Sequence, residues 1–229
     1  MKKNHTRSLT PIDQWRIDVG FDHPIRTIRS YHVVSPKDCS RLIAAAEDYA
    51  INHGGWTKKR HKEAPTTDIP FDLLGGENRA MYQKWKEKWT KKVIRPLLFR
   101  DYNARFISYE DLFLVRYTVD TQSSLKIHRD GTIISFVLQL NDDFTGGGTY
   151  IQSIDKTLRH STGDLCIHSG WFFHGAKPVI SGARYVLIGF CNIQAHWHTQ
   201  RKLQPNAPME SDGSVIRKGV RPEFRHKSP

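Results

Sequence analysis

From residue 106 to about residue 193 the chain is a series of short apolar segments separated by Gly, Asp and Pro, and this pattern limits the folds open to it. The segment from Ile133 to Leu140 is nearly continuously apolar, as expected for a strand buried on both faces. Other segments alternate, so that one face is formed by Phe113, Val115 and Tyr117, or by Arg184, Val186, Ile188 and Phe190. Short strands with turn signals between them are typical of an antiparallel barrel or jelly roll.

A candidate metal site lies within these strands. His128 and Asp130 are two residues apart, which is the period of a β-strand, so their side chains leave the same face. His174 follows as a third candidate ligand. Two imidazoles and one carboxylate, without cysteine, form the facial triad that suits non-haem Fe(II) and leaves coordination positions open. The spacing therefore predicts iron ligation by His128, Asp130 and His174.

Arg184 stands ten residues after His174 and strengthens this interpretation. A guanidinium binds a carboxylate through two parallel hydrogen bonds, so an arginine close to such an iron could hold a dicarboxylate co-substrate. An isolated His-x-Asp pair is a weak signal, and each of the three ligands has a structural alternative as a strand cap, a turn residue or a core histidine. The ordered combination, with Gly146-Gly147-Gly148 as a turn or bulge, is far more specific.

These motifs resemble the catalytic domain of the procollagen lysyl hydroxylases, within the prolyl/lysyl-hydroxylase-type Fe(II)/2-oxoglutarate dioxygenases. The resemblance covers roughly residues 55–193. It is carried by Pro65-Thr66-Thr67-Asp68-Ile69, Leu112 to Tyr117, Ser124 to Asp130, Leu138 to Asn141, Asp143 to Thr149, Gly163-Asp164, His174-Gly175, Pro178-Val179, Gly182 and Arg184-Tyr185-Val186.

The resemblance implies a double-stranded β-helix (jelly-roll) fold, with Fe(II), 2-oxoglutarate and O₂ as cofactor and co-substrates and ascorbate as a further candidate. It implies that Arg184 binds the far carboxylate of 2-oxoglutarate, together with Tyr117 and Thr149. A hydroxyl donor beside an arginine makes physical sense for this task. The related prolyl hydroxylases carry Lys where Arg184 stands, which favours the lysyl-type branch.

Two helices are predicted before the strands, so the expected fold class is mainly β with flanking helices (α+β). The first begins at Ser35 as N-cap and ends near His53, and the second runs from Asn78 to about Arg95, where Pro96 ends or kinks it. In the second helix an apolar stripe is formed by Met81, Trp85, Trp89 and Val93. The stripe is expected to face the core, and the alternative is that its tryptophans are stacking platforms for nucleic acid.

The predicted organisation is a lead-in at residues 1–30, a dioxygenase domain at 31–198 and a basic tail or extension at 199–229. The basic loop at residues 58–62 is expected to be solvated charge, with contact to an acidic substrate as the alternative. Strands are also expected at Tyr31 to Val34 and at Trp171 to His174. His196 and His198 have no third candidate ligand nearby and are interpreted as surface histidines.

The formal charge of +12 is concentrated partly at the two ends, which could attract nucleic acid. Three cysteines without a C-x-x-C motif fit a reducing compartment. No apolar run has membrane-spanning length and the first residues are polar, so an intracellular location, cytoplasmic or nuclear, without membrane association is expected. The oligomeric state is left open.

These observations leave four classes of function to compare. The leading hypothesis is hydroxylation of a lysyl or prolyl residue in a peptide or protein substrate. The alternatives are an oxygenase acting on a nucleic-acid base, motivated by the net charge, and a hydroxylase of a free amino acid or small molecule. A non-catalytic jelly-roll binding module is disfavoured because the complete triad is present.

Overall fold

The computed structural model describes residues 28–193, apart from residues 59, 62, 63, 103, 105 and 106, together with residues 215–216. The described strands are β1 (Arg29–His32), β2 (Asp68–Pro70), β3 (Ile107–Thr118), β4 (Leu125–His128), β5 (Ile134–Gln139), β6 (Thr145–Gly146), β7 (Thr149–Ile151), β8 (Lys156–Leu158), β9 (Asp164–Ser169), β10 (His174–Ala176), β11 (Val179–Ser181), β12 (Ala183–Ile193) and β13 (Val215–Ile216). The helices are α1 (Pro36–Asn52), α2 (Arg79–Trp89) and α3 (Arg95–Tyr102), and a π-helical turn (Thr90–Ile94) joins the last two.

The strands form two main sheets. The larger has seven strands in the order β13-β1-β9-β5-β12-β3-β2, and the smaller has four in the order β4-β10-β7-β8; β6 and β11 pair separately. Every described pairing is antiparallel except that of β1 with β13. This arrangement is the predicted double-stranded β-helix with flanking helices, and the fold-class prediction is confirmed.

The two faces of the larger sheet have different roles because side chains alternate along a strand. Leu114 and Leu187 point to the outer face, where they join a core cluster with helix residues such as Leu42 and Trp89. The inner face carries most of a second cluster, namely Phe113, Val115, Tyr117, Val137 and Val186, and Val179 of β11 packs against them. The helices therefore close the outer face and leave the inner face to line a cavity opposite the smaller sheet.

Helix α1 has the predicted start and end. The Ser35 hydroxyl accepts a hydrogen bond from the Asp38 amide, Pro36 is the first helical residue, and the helix stops before Gly54, whose φ of +80° is unfavourable for other residues. The N-terminal strand is displaced from its predicted position, since β1 spans Arg29–His32 rather than residues 31–34. The backbone amides of residues 33 and 34 both donate hydrogen bonds to the Gly163 carbonyl and do not pair with a neighbouring strand.

Pro96 was predicted to end or to kink the second helix, and the first of these two outcomes is wrong. Helical structure continues from the π-helical turn through α3 to Tyr102. A proline ring clashes with the carbonyl four residues earlier in a regular α-helix, and the wider π-helical turn before Pro96 makes room for it. Met81 is 52% exposed, so it does not belong to the predicted apolar stripe, whereas Trp89 is buried.

The strand predicted at residues 171–174 is also wrong in part. Trp171 to Phe173 form a turn closed by the Phe172 amide bonding the Ser169 carbonyl, and the strand begins only at His174. The proposed division into residues 1–30, 31–198 and 199–229 stays a prediction, because most of both ends lies outside the described residues. His196 and His198 also lie outside them. No helix in the described part of the chain has the length and apolar character needed to cross a bilayer.

Candidate metal and anion site

A cavity of about 310 Å³ opens between the inner face of the larger sheet and the smaller sheet. All six predicted site residues line it, namely Tyr117, His128, Asp130, Thr149, His174 and Arg184. They come from β3, β4, the turn after β4, β7, β10 and β12. The fold thus brings together side chains that are up to 67 residues apart in the sequence.

His128, Asp130 and His174 form a compact three-residue cluster. His128 and His174 are direct partners across the antiparallel β4–β10 pair. Nε2 of His128 lies 3.1 Å from Asp130 Oδ1, and Nε2 of His174 lies 3.4 Å from Asp130 Oδ2. The three candidate ligand atoms are all within 4.8 Å of one another, so these side chains could hold one metal ion.

The hydrogen bonds of both imidazoles leave the same nitrogen free for a metal. Nδ1 of His128 bonds the Lys126 carbonyl at 2.8 Å, and Nδ1 of His174 bonds the Phe172 carbonyl at 2.9 Å. Because a carbonyl only accepts hydrogen bonds, each Nδ1 carries a proton, so Nε2 is the nitrogen that has a lone pair for a metal when the ring is neutral. Such backbone contacts fix the ring orientation of metal-binding histidines.

The electrostatics of the cluster show how tightly its charges are coupled. Burial acts to raise the pKa of the Asp130 carboxyl, but hydrogen bonds from His128 and His174 hold that pKa far below its usual value. Burial acts to lower the pKa of His174, but its contact with Asp130 outweighs burial and raises it. Ser135 adds a hydrogen bond from its hydroxyl to Asp130 Oδ2. A cation placed between these groups would take over the role of the histidine protons.

Arg184 is a buried cation in the same cavity. It is only 2% exposed, and its Nε donates to Gln139 Oε1 at 3.1 Å while Nη2 donates to Thr149 Oγ1 at 3.3 Å. Its guanidinium carbon lies 5.7 Å from the centre of the Tyr117 ring. Burial lowers the pKa of Arg184, and among the described residues no carboxylate forms an ion pair with it.

A buried guanidinium with only neutral partners is costly, because charges removed from water need a counter-ion. The arrangement is therefore suited to an anion that enters the cavity. Tyr117 supports this use, since burial raises the pKa of its hydroxyl to about 12 and keeps the hydroxyl a proton donor at neutral pH. Gln139, which the sequence interpretation did not single out, orients the guanidinium.

The tight glycine turn predicted at residues 146–148 packs directly against Arg184. Gly147 has a φ of +61°, and a Cβ atom there would lie 2.8 Å from the Phe144 ring and 3.2 Å from Arg184 Cδ. We expect Gly147→Ala to cost more stability than Gly54→Ala, which has a φ of +80° but no atom within 4 Å of its Cβ position. Both substitutions should lower the free energy of unfolding by roughly 1–2 kcal/mol, because a residue with a Cβ is strained in the left-handed conformation. Only Gly147→Ala adds a steric clash to this loss. Denaturant unfolding of both variants measures the difference, and equal losses would show that the turn tolerates a side chain.

His168 also lines the cavity, and the sequence interpretation missed it. It is fully buried, its ring centre lies 4.6 Å from that of His174, and burial lowers its pKa to about 4. Nδ1 bonds the Ser169 carbonyl at 2.9 Å, whereas Nε2 has no hydrogen-bond partner within the described residues. A polar residue inside an otherwise apolar strand is a sequence signal for such a position, and Gln139 gives the same signal.

Two residues of the basic loop line the cavity. The Arg60 guanidinium lies 2.7 Å from Asp68 Oδ1 and 2.5 Å from Asp111 Oδ2. The His61 ring is tilted against the Phe113 ring, with the ring centres 4.6 Å apart. Arg60 and His61 line the cavity. The prediction that this loop is simply solvated charge is therefore wrong for these two residues. The sequence carries no signal for this contact, because Arg60 and Asp111 are 51 residues apart.

Comparisons with known proteins agree with this geometry. Mouse procollagen-lysine,2-oxoglutarate 5-dioxygenase 2 is 24% identical over 192 residues, which cover 74% of this chain and 24% of that protein. A 2-oxoglutarate and iron-dependent oxygenase domain-containing protein 2 from Xenopus tropicalis is 26% identical over 177 residues, covering 72% of this chain and 50% of that protein. The chain thus spans between about a quarter and a half of the length of these relatives. No protein-family model matches it.

Solved structures support the fold assignment. The viral collagen prolyl hydroxylase of Paramecium bursaria Chlorella virus-1, in complex with 2-oxoglutarate, has a TM-score of 0.52 at 16% identity, covering 72% of this chain and 94% of that one. A Trichoplax adhaerens prolyl hydroxylase, in complex with a hypoxia-inducible-factor peptide fragment, has a TM-score of 0.58 at 9% identity, covering 76% and 87%. At these identities the likeness demonstrates a shared fold.

Proposed function

The chain is a relative of the iron- and 2-oxoglutarate-dependent dioxygenases of the prolyl/lysyl hydroxylase type, and from this premise we propose that it hydroxylates a C–H bond in a peptide or protein. One observation carries the proposal: the three-residue cluster His128, Asp130 and His174 shares a cavity with Arg184, a buried cation without a carboxylate partner among the described residues. A metal site and an anion site in one cavity are what this co-substrate chemistry requires.

The donor set fits Fe(II). Two neutral imidazole nitrogens and one carboxylate oxygen form the facial triad, which leaves further coordination positions open. Iron bound there would supply the oxidising chemistry, with 2-oxoglutarate and O₂ as co-substrates. His128 and His174 present Nε2, Asp130 balances part of the metal charge, and Ser135 holds the carboxylate in place.

Arg184 would bind the far carboxylate of 2-oxoglutarate. Its guanidinium is held by Gln139 and Thr149, so it is already oriented before the anion arrives and little side-chain freedom is lost on binding. Thr149 and Tyr117 offer hydroxyls beside the guanidinium. The apolar wall, formed by Val137, Val186 and Ile188, excludes water from the same space and strengthens these contacts.

The substrate is proposed to be a lysyl or prolyl side chain. Support comes from the mouse relative, whose name specifies procollagen lysine, and from the hydroxylase structure that contains a peptide fragment. An intracellular location, cytoplasmic or nuclear, is proposed with it, and the three cysteines support this because all are unpaired and buried. Ascorbate is proposed as an assay component.

The test is a screen of Lys- and Pro-containing peptides by mass spectrometry, with Fe(II), 2-oxoglutarate and ascorbate present. We expect one oxygen atom to be added to Lys or Pro in at least one peptide, with succinate formed in step, and no addition by the His174→Ala variant. Oxidation of an oligonucleotide or a free amino acid, with every peptide unmodified, would replace this substrate class with one of the two alternatives.

A further inference from the structure

The solvent-facing side of the second helical segment is strongly basic. Residues 79–100 contain eight Lys and Arg residues and a single acid, Glu87. Lys84, Lys88, Lys91 and Lys92, here named the basic stripe, are all exposed. None of the four forms an ion pair within the described residues, whereas nearby Lys86 pairs with Asp72.

Helix geometry places the basic stripe on one side. Trp89, Ile94 and Leu97 are buried in the core cluster on the outer face of the larger sheet. The Trp89 ring packs edge-on against Phe136, with the ring centres 5.8 Å apart. Residues three and four apart lie next to one another on a helix, so the lysines form a row that faces away from this core. The row therefore lies on the opposite side of the sheet from the cavity.

Helix stability does not account for this row. Lys84 with Lys88, and Lys88 with Lys92, are like charges at the i,i+4 spacing, which destabilises a helix. Neutralisation by a polyanion would relieve this repulsion. The row fits a partner with regularly repeated negative charges, and a phosphodiester backbone has this property.

An exposed aromatic ring continues the row. Phe99 is 47% exposed and lies seven residues after Lys92, two helical turns further along the same segment. The rings of Trp85 and Trp89, whose centres are 5.3 Å apart, are directed to the core instead of solvent. A positive groove or ridge combined with an accessible aromatic ring is the usual recognition surface for single-stranded nucleic acid, whose unpaired bases can stack on the ring.

We propose that the basic stripe and Phe99 form a binding surface for single-stranded nucleic acid. The lysines contact consecutive phosphates and Phe99 stacks against a base. Because the surface is separate from the cavity, it serves to attach the protein to a nucleic acid rather than to present a base for oxidation. It is independent of the proposed hydroxylase function.

The test compares two quadruple variants of the full chain. One replaces Lys84, Lys88, Lys91 and Lys92 with Gln, and the matched control replaces four exposed lysines elsewhere, Lys37, Lys126, Lys156 and Lys177, with Gln. Both keep the basic ends and have the same net charge. The probe is a fluorescently labelled oligouridine of about 15 nucleotides, near the upper end of single-strand site sizes, measured by anisotropy over a range of salt concentrations.

We expect the stripe variant to bind at least about tenfold more weakly than the control, and its salt slope to fall by about 3, which is roughly 0.7 for each lost phosphate contact. Phe99→Ala should weaken binding by about fivefold or more, and Phe99→Trp should restore it, because stacking needs only an aromatic face. An oligothymidine of the same length separates a preference for RNA from one for DNA.

Three results would overturn the proposal. The first is an equal loss of affinity in the two quadruple variants. The second is equal or tighter binding of a duplex of the same length, and the third is competition by polyglutamate as effective as that by the oligonucleotide, which would indicate an acidic protein partner. Stripe variants should retain uncoupled 2-oxoglutarate turnover, so failure of this proposal and failure of the hydroxylase proposal are distinguishable.

Discussion

Replacing Asp130 with Ala should abolish high-affinity Fe(II) binding and leave a folded protein without turnover. Asp130 is the only carboxylate of the three-residue cluster and lies within 3.4 Å of both histidine Nε2 atoms. Loss of a residue that hydrogen-bonds to a metal ligand typically lowers metal affinity by about 10–100-fold. Loss of the ligand itself should therefore lower metal affinity by at least about 100-fold. His128→Ala and His174→Ala should behave in the same way.

The measurement is anaerobic equilibrium dialysis of Fe(II), with unfolding monitored for each variant. Ser135→Ala supplies a graded comparison, because it removes only the hydrogen bond to Asp130 and should cost about tenfold. His53→Ala, at an exposed helix end, should bind iron like the unmodified protein. Affinity should fall at acid pH, since the histidines bind metal only when neutral. Normal iron affinity in any of the three cluster variants would remove that residue from the site.

Replacing Arg184 with Ala should weaken 2-oxoglutarate binding severely while iron binding persists. Removal of one partner of a buried, hydrogen-bonded charge pair costs about 2–5 kcal/mol, which corresponds to tens-fold or more in affinity. The loss should be this large because Arg184 is 2% exposed and, among the described residues, has no other anion beside it. Calorimetric titration of 2-oxoglutarate into the metal-loaded protein measures it.

Two further variants show whether geometry or charge is decisive. Arg184→Lys keeps the charge but loses the fork of donors, so it should recover only part of the affinity. Gln139→Leu keeps Arg184 but removes the acceptor of its Nε, and should weaken binding less than Arg184→Ala. An unchanged 2-oxoglutarate titration in Arg184→Ala would mean that another residue holds the far carboxylate.

Each of the two sites depends on antiparallel pairing of strands within one sheet: the smaller sheet holds the metal cluster, and the larger sheet holds Arg184. β4 and β10 hold the histidines side by side, and β12 carries Arg184 beside Tyr117 of β3. A one-residue slip in either pair would turn these side chains out of the cavity, because side chains alternate between faces. The apolar residues that fix the register therefore also fix the chemistry.

Much of the site could be predicted from sequence because most of its residues lie in strands with a two-residue period. The alternation from Arg184 to Phe190 identifies a face without knowledge of the partner strand. His128 and Asp130 do share the site as predicted, although β4 ends at His128 and the turn after it, rather than the strand period, positions Asp130. The N-cap at Ser35 and the glycine turn at 146–148 were predictable for the same reason, since local backbone geometry determines them.

Long-range contacts decided the rest. Arg60 lines the cavity because Asp68 and Asp111 bind its guanidinium. His168 lies against His174 because of the pairing of β5 with β9 and the turn that follows β9. Helical structure passed through Pro96 because a π-helical turn preceded it. These outcomes depend on packing between segments that are distant in sequence, or on the turn geometry of the folded chain. Residue spacing alone predicts neither of these.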